Sequence, residues 1–329
     1  MKPLELNNKL YGRYKITEAV LIDLINSKAL QRLKGIHQAG AWNLHYSFKK
    51  SFTRYDHSLG VMLLLRKFGA SIEEQIHGLL HDISHTAFSH VADFVFNKQT
   101  SQTYQDGHIG KAYRMQGVNK ILTKHGFDPN FILNDKNFPL AEKSLPDLCA
   151  DRLDYTLQDP IGRGLIKVKP KKVLKKLTVY NREFVFKNQA GARQFAELSF
   201  YLNKNFLCSP LQVSLYTVMA GALRESLDKN IISKKDLYQT DDFVLQKIVK
   251  SKNAEVLKKL QQIKNLKIKQ VPKSQADFCG ISKIRTVDPK FIKNGKLIKL
   301  TSADKPYKNK KQAWEKIAKK GFCVKILNT

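Results

Sequence analysis

Apolar positions recur at helical spacing through much of the first 160 residues. Between residues 54 and 68, Leu59, Met62, Leu63 and Arg66 follow that spacing and predict a helix, which Gly69 can cap. Ser71 and Glu74 form the S-x-x-E pattern of a helix start. In the helix that follows, Ile72, Ile76, Leu79, Leu80 and Ile83 fall at i, i+4, i+7, i+8 and i+11, a stripe made for burial. Residues 16–25 are apolar-rich, residues 29–36 are short and basic, and residues 38–53 are rich in turn formers and aromatics. Residues 144–159 predict a further helix, with Pro146 tolerated in its first turn. The pattern then changes. Leu177–Tyr180 and Glu183–Phe186 flank Asn181 and Arg182 and predict a small hairpin. A long helical region covers residues 192–227, and residues 236–329 alternate lysine-rich helical pieces with strand-like runs such as Phe322–Leu327. No internal repeat or low-complexity linker is evident. The expected fold class is therefore mainly α, with a few short strands and hairpins largely in the C-terminal half. The expected division is a helical core over 1–230, hairpin included, and a lysine-rich α+β appendage over 231–329.

With 42% apolar and 26% charged residues among 329, the chain can bury a substantial core. No apolar run approaches the ~18–20 residues a membrane span needs, and the opening MKPLELNNKL has no apolar run after its lysine, so neither a membrane anchor nor a secretory signal is expected. Cys149, Cys208, Cys279 and Cys323 lie far apart with no C-x-x-C pair. That spacing argues against a disulfide framework or zinc ribbon and for a reducing, cytoplasmic setting. The charge balance changes the picture more. The net charge is +30, and residues 161–329 carry 38 basic against 12 acidic side chains, while residues 1–160 carry 20 against 16. Such a field attracts polyanions: nucleic acid, anionic lipid or polyphosphate. The lysines are scattered through helical patterns, so a solvated basic surface accounts for them equally well.

Five of the nine histidines, His57, His77, His81, His85 and His90, fall within 34 consecutive residues. Histidine is the commonest metal ligand and titrates near neutral pH. His77 and His81 are four apart and share a helix face, while Asp82 points about 100° around from His81. A His-Asp pair supplies only two ligands, and His57 on the preceding helix is the nearest candidate for a third. On the 144–159 helix, Asp147, Asp151 and Asp154 recur at i, i+4 and i+7, where like charges repel unless a cation relieves them. Asp151, Arg152, Tyr155 and Asp159 share one sector, suiting a phosphorylated ligand that carries a ring. A lone buried histidine is usually a hydrogen-bonded core residue and an Asp/Arg helix face is usually solvated. His77 is therefore expected only to line a site, and Asp147 and Asp154 to be ordinary surface carboxylates.

The order His57, His81-Asp82, Asp151 is set in longer words: Gln31-Arg32-Leu33, Gln38-Ala39-Gly40, Thr53-Arg54-Tyr55-Asp56-His57-Ser58-Leu59-Gly60, Gly78 through His90, and Asp151-Arg152-Leu153-Asp154-Tyr155. In order and spacing these resemble the HD-domain metal-dependent phosphohydrolases, in particular the branch of deoxynucleoside-triphosphate triphosphohydrolases and the bacterial phosphohydrolases similar to them. The resemblance is dense over residues 10–160 and weaker beyond. It implies an HD-type helical core in which His57, His81, Asp82 and Asp151 hold one divalent transition metal: iron, manganese, zinc, or nickel or cobalt. Mixed imidazole and carboxylate ligands suit those ions, whereas magnesium prefers oxygen and would accompany the nucleotide phosphates. The metal would acidify a water and polarise a phosphoryl oxygen, and water would attack the α-phosphorus in line, yielding deoxynucleoside and triphosphate. By the same resemblance Arg54 contacts phosphate, and Arg152 stands where relatives often carry lysine. Tyr155 packs against the sugar, and Gln38 and Asp159 read the 3′-hydroxyl. His90, oriented by Asp93, serves as general acid, and His85 faces the phosphates.

Three positions depart from the pattern. A further catalytic histidine of the relatives aligns with Ile109 here, one residue from His108. His77 replaces a small residue, and Ser214 and Thr217 stand where relatives have a sugar-packing Tyr and a phosphate-binding Lys. The expected function is nucleotide hydrolysis, most simply of a dNTP. The alternatives are a phosphodiesterase or nuclease using the same site, with nucleic acid drawn by the basic half, or a catalytically weak nucleotide-binding sensor. The resemblance also implies a homo-oligomer.

Overall fold

The structure, a computed structural model, describes residues 2–46, 52–158 and 169–327. It is mainly helical, with short strands concentrated in the C-terminal half. The chain opens on a hairpin where the sequence reading placed only helices. Strands β1 (Leu4–Asn8) and β2 (Gly12–Ile16) pair antiparallel from Leu4↔Ile16 to Asn8↔Gly12. Burial alternates along both, the two-residue period of a strand with one covered face. The Asn8 side chain closes the turn by accepting from the Leu10 and Tyr11 amides, at 2.8 and 3.0 Å. Helix α1 (Ala19–Asn26) follows, with Val20, Leu21, Ile22, Leu24 and Ile25 buried.

Two helices carry the histidines. Helix α2 (Arg54–Lys67) begins on Thr53, whose hydroxyl accepts from the Asp56 amide while the Asp56 carboxylate accepts from the Thr53 amide, a full capping box. It ends at Gly69, whose φ of +73° is the left-handed conformation expected of a glycine C-cap. Helix α3 (Ile72–Leu80) starts on Ser71, which caps the Glu74 amide. The Glu74 side chain does not complete the box. It accepts from the Leu140 and Ala141 amides instead, tying that loop to the helix. Helix α4 (Val91–Val95) is short.

Helix α5 (Ala150–Leu157) is shorter than the 144–159 expected. Pro146 disfavours helical backbone at Leu145. The Ala150 amide bonds to Leu140 O at 2.7 Å, so the helix starts there and Asp147 lies in the preceding turn. The described part of the helical stretch beginning near 189 splits into α6 (Gln189–Leu202) and α7 (Pro210–Asp228), separated by a π-type turn, Asn203–Leu207, with Pro210 setting the new start.

The expected hairpin is present as β3 (Leu177–Tyr180) and β4 (Glu183–Phe186), with Asn181 and Arg182 at φ of 49° and 57° in the turn. The C-terminal segment contributes helices α8 (Asp241–Lys250), α9 (Ala254–Lys264) and α10 (Lys305–Lys320). Its strands are β5 (Lys267–Gln270), β6 (Phe278–Gly280), β7 (Lys290–Lys293), β8 (Lys296–Lys299) and β9 (Phe322–Leu327). One sheet runs β3-β4-β7-β8, joined across the chain by the parallel Phe186↔Phe291 contact, and another runs β5-β9-β6. Cys279 faces Cys323 in the β6–β9 register, and the two form a disulfide. This corrects the expectation of unpaired cysteines: 44 residues of separation vanish when two strands pair. Cys149 and Cys208 are free and buried.

A continuous apolar core runs from Leu10 to Val324. Among the described residues no single helix is long and apolar enough to cross a membrane. In α10 Tyr307, Trp314 and Ala318 are buried and most lysines point outward, so much of that helix's charge is solvated.

Candidate active site

Helices α2 and α3 pack together, and α5 lies across α2. This brings ligand atoms of His57, His81 and Asp151, from three stretches, within 4.8 Å of one another, with Asp82 beside them and held by Arg54. His57 Nε2 is 2.9 Å from Asp151 Oδ1 and 3.3 Å from His81 Nε2. His81 Nε2 lies 3.7 Å from Asp151 Oδ1 and 3.5 Å from Asp82 Oδ1, and Asp82 Oδ2 is 3.8 Å from His57 Nε2. His57 and Asp82 are buried, and His81 and Asp151 are half-buried at the cavity edge. His81 is the C-cap of α3.

These donors fit a divalent transition metal. Neighbouring ligand atoms on an ion with bonds of about 2.0–2.2 Å stand roughly 3–3.5 Å apart, close to the separations found. The far ring nitrogens are committed as well. His57 Nδ1 is 2.7 Å from Asp154 Oδ2, and His81 Nδ1 is 2.7 Å from Gly78 O. Both bonds call for an Nδ1–H, so the two Nε2 atoms are the ones that would turn lone pairs to a bound metal, His57 first giving up the proton it shares with Asp151. Electrostatics agree. Burial lowers the His57 pKa, but hydrogen bonds to Asp151 and Asp154 overcome it and push it up to about 10. Asp151 is held well below the usual carboxylate range: burial opposes this, but His57 and His81 prevail. The centre attracts positive charge, as a metal site must.

Asp154 was expected to be an ordinary surface carboxylate, and this is corrected. It is fully buried and takes hydrogen bonds from His57, from the Tyr11 hydroxyl at 2.7 Å and from Gln158 Nε2 at 2.5 Å. Its position three residues after Asp151 was the available sequence signal; Tyr11, delivered by the N-terminal hairpin, left none. Gly60 makes room. A Cβ there would stand 2.2 Å from Asp154 Oδ1 and from Gln158 Nε2.

The cluster floors a cavity of about 860 Å³, within the usual range for ligand sites. Gln38, Arg54, His85, His90, Arg152 and Tyr155 line it. Arg54 Nη1 bonds Asp82 Oδ2 at 2.8 Å and its Nε bonds Ser89 Oγ at 3.0 Å. His85 Nε2 lies 3.2 Å from Asp82 Oδ1, and its ring meets His90 edge-on with centroids 4.9 Å apart. Burial first, then Arg54, hold the His85 pKa down to about 3, so the ring is neutral. His90 Nδ1 bonds Asp93 Oδ2 at 2.9 Å, while its Nε2 faces Arg285 Nη2 at 3.2 Å. In this arrangement His90 donates at Nδ1 and accepts at Nε2.

The Arg152 guanidinium is turned onto the 143–149 turn, bonding the Asp147 carbonyl and Lys143 O, the latter at 2.9 Å. Among the described residues Tyr155 Oη and Gln38 Oε1 are buried without a hydrogen-bond partner, which suits them to a ligand or water. His108 stands apart from the cluster. Its ring packs on Tyr104 at 4.6 Å and its Nδ1 bonds Tyr104 O at 2.7 Å, while Ile109 lines the cavity. His77 lines the wall, bonds Ile132 O at 2.7 Å and stacks on Phe138. Asp159 lies outside the described residues.

Residues that the sequence did not single out hold the walls. Asp241 accepts from the His37 amide at 3.0 Å, His37 Nδ1 at 2.8 Å and the Phe88 amide at 2.6 Å, pinning two site loops. Gly40 runs beside them at φ +54°, where a Cβ would stand 2.4 Å from Phe88 O. Lys283 and Arg285 enter the cavity from the C-terminal segment.

A helical body that gathers two imidazoles and two carboxylates, from two helices and the end of a third, at a cavity also lined by arginines and lysines suits metal-centred phosphate-ester chemistry. Comparison with known proteins agrees. The HD domain family model matches residues 54–156. Uncharacterized protein YdhJ of Bacillus subtilis is 38% identical over 98% of this chain and 99% of its own length. Metal-dependent phosphohydrolase cns2 of Cordyceps militaris is 30% identical over 86% of this chain and 84% of its own. The deoxynucleoside triphosphate triphosphohydrolase SAMHD1 homolog of Dictyostelium discoideum is 22% identical over 80% of this chain and 58% of its own. A solved structure of a hypothetical protein from Aquifex aeolicus shares the fold, with a TM-score of 0.70 at 19% identity over 93% of each chain. The chain belongs to the HD-domain family of metal-dependent phosphohydrolases.

Proposed function

We propose that this phosphohydrolase acts on nucleotides, most simply converting a dNTP and water to deoxynucleoside and triphosphate. The observation that carries the reading is the His57–His81–Asp151 cluster, with Asp82 beside it, sharing one cavity with buried Tyr155 Oη and Gln38 Oε1, which lack partners among the described residues. A phosphate chain at the cluster and a sugar between those two groups would satisfy both. The distant likeness to the Dictyostelium triphosphohydrolase homolog points the same way.

When bound by His57, His81, Asp82 and Asp151, a divalent metal supplies an acidified water and a Lewis acid for phosphoryl oxygen. The chain supplies the rest. Asp154 and Gly78 O fix the ring orientations. Arg54 is held by Asp82 and Ser89 with its guanidinium at the cavity wall, preorganised for a phosphate oxygen. Water oxygen bonds to the α-phosphorus, the bond to the sugar 5′-oxygen breaks, and that oxygen takes a proton. His90 carries it once its Nε2 is released from Arg285 and protonated, with Asp93 anchoring the opposite nitrogen.

Incubating protein loaded separately with iron, manganese or zinc with the four dNTPs, and chromatographing the products, tests this. Deoxynucleoside and triphosphate are expected in equal amounts. Absence of both with every metal overturns the reading.

A further inference from the structure

The segment at 281–289 belongs to neither helix nor strand, yet it is fastened on both sides of a short half-buried reach. Ser282 is buried. Its hydroxyl faces Leu207 O and accepts from Gln102 Nε2, both at 3.4 Å. Beyond, Thr286 bonds Glu315, the Tyr307 hydroxyl donates to Val287 O at 2.8 Å, and the Asp288 amide bonds Pro146 O at 2.9 Å. Between these anchors the chain alternates. Ile284 packs on the core, while Lys283 and Arg285 both face the cavity, the two-residue period of extended backbone.

Among the described residues neither cation forms an ion pair with a carboxylate. Arg285 Nη2 rests on neutral acceptors, Gln102 Oε1 at 2.5 Å and His90 Nε2 at 3.2 Å. Lys283 has no hydrogen bond or ion pair among the described residues, although it is half-buried; burial, then Arg285, lower its pKa, against the opposing pull of Asp106 and Glu142. Arg54, by contrast, is neutralised by Asp82. The carboxylates Asp106 and Glu142, which line the same cavity, act on Lys283 without forming an ion pair, so the repulsion between the two neighbouring cations would be relieved by an anion that joins them. A single phosphate beside the cluster would engage Arg54, so the added charge suits a longer polyphosphate. Helix α7 does not provide it: Ser214 is buried with its hydroxyl on Pro210 O, and neither it nor Thr217 is among the described lining residues.

Resting on the nucleotide reading above, we propose that Lys283 and Arg285 form a second cationic limb that binds the distal phosphates of the substrate. Arg285 exchanges Gln102 and His90 for phosphate oxygens, which also frees His90 Nε2. The limb explains how the C-terminal segment, distant in sequence from the cluster, takes part in the site.

The test uses the full metal-loaded chain and inorganic tripolyphosphate, with orthophosphate for comparison, in titration calorimetry. Lys283→Gln and Arg285→Gln are each expected to weaken tripolyphosphate binding by about ten- to a hundredfold, the range for charge-assisted hydrogen bonds. Arg285→Lys should recover part of the loss. Orthophosphate affinity should change by less than about threefold, because it needs only the Arg54 side. Metal content equal to wild type shows the cluster intact. Tripolyphosphate affinity within twofold of wild type in both glutamine variants overturns the limb. Loss of binding in the variants of a protein that hydrolyses no dNTP leaves the limb standing and removes the nucleotide reading. Turnover of dNTPs at wild-type KM in both variants does the reverse.

Discussion

Replacing Asp154 with asparagine probes the centre without touching a metal ligand. The carboxylate takes hydrogen bonds from His57 Nδ1 and the Tyr11 hydroxyl, each at 2.7 Å, and from Gln158 at 2.5 Å. An amide of the same shape has one acceptor oxygen, so at least one of these donors, or the new NH2 group, is left facing another donor. If the oxygen stays with Tyr11, His57 loses a charge-assisted bond of about 1.5–3 kcal/mol together with the anchor of its tautomer. Partners of this kind contribute about ten- to a hundredfold to metal affinity, and the two figures agree. The fold should suffer less. Burial raises the Asp154 pKa against its hydrogen bonds, so the native state carries a desolvation cost that the amide escapes. Asp154→Asn is therefore expected to bind zinc or manganese about ten- to a hundredfold more weakly in chelator competition at fixed pH. The melting midpoint of metal-free protein should move by only a few degrees. Wild-type metal affinity in this variant would refute the assignment of Asp154 as the group that orients His57.

Gly60→Ala drives a Cβ into Asp154 and Gln158 and should destabilise the protein by about 1–3 kcal/mol, with metal content falling in parallel; denaturant melts and elemental analysis check both. Metal binding should also depend on pH in a defined direction. The His57 pKa lies near 10 against an ordinary 6.5, burial being overcome by Asp151 and Asp154. A raised folded-state pKa stabilises metal-free protein fully below about 6.5 and loses that contribution as pH climbs through about 10. A metal at Nε2 must displace the same proton, so affinity should rise up to about tenfold per pH unit across that window. Calorimetry in buffers of different ionisation heat counts the proton released; a count of zero contradicts the reading.

Much of the site was legible in the chain because it is built from local words. His81 and Asp82 are adjacent, Arg54 and His57 share one capped helix, and Asp151 through Tyr155 span little more than a turn. Helical periodicity states which neighbours face together, and the resemblance of these words to the HD-domain family suggested a ligand set before any fold was known. Where the words did not fix the backbone, the reading drifted. Residues 144–149 carry helical apolar spacing, but Pro146 and the bond from Ala150 to Leu140 O keep them in a turn.

The sequence by itself determined the helical class and the basic surplus, because periodicity and charge are properties of the chain, and its motif order suggested which imidazoles and carboxylates would meet. Tertiary structure alone decided that Asp154 is buried against His57, that Tyr11 arrives from a hairpin at the other end of the core, and that Cys279 meets Cys323. It also decided that Lys283 and Arg285, two cations among 58, face the cavity rather than solvent. The physical reason is that partnership between residues a hundred or more positions apart depends on packing and burial, and neither charge nor spacing records which of many similar side chains the fold will turn inward.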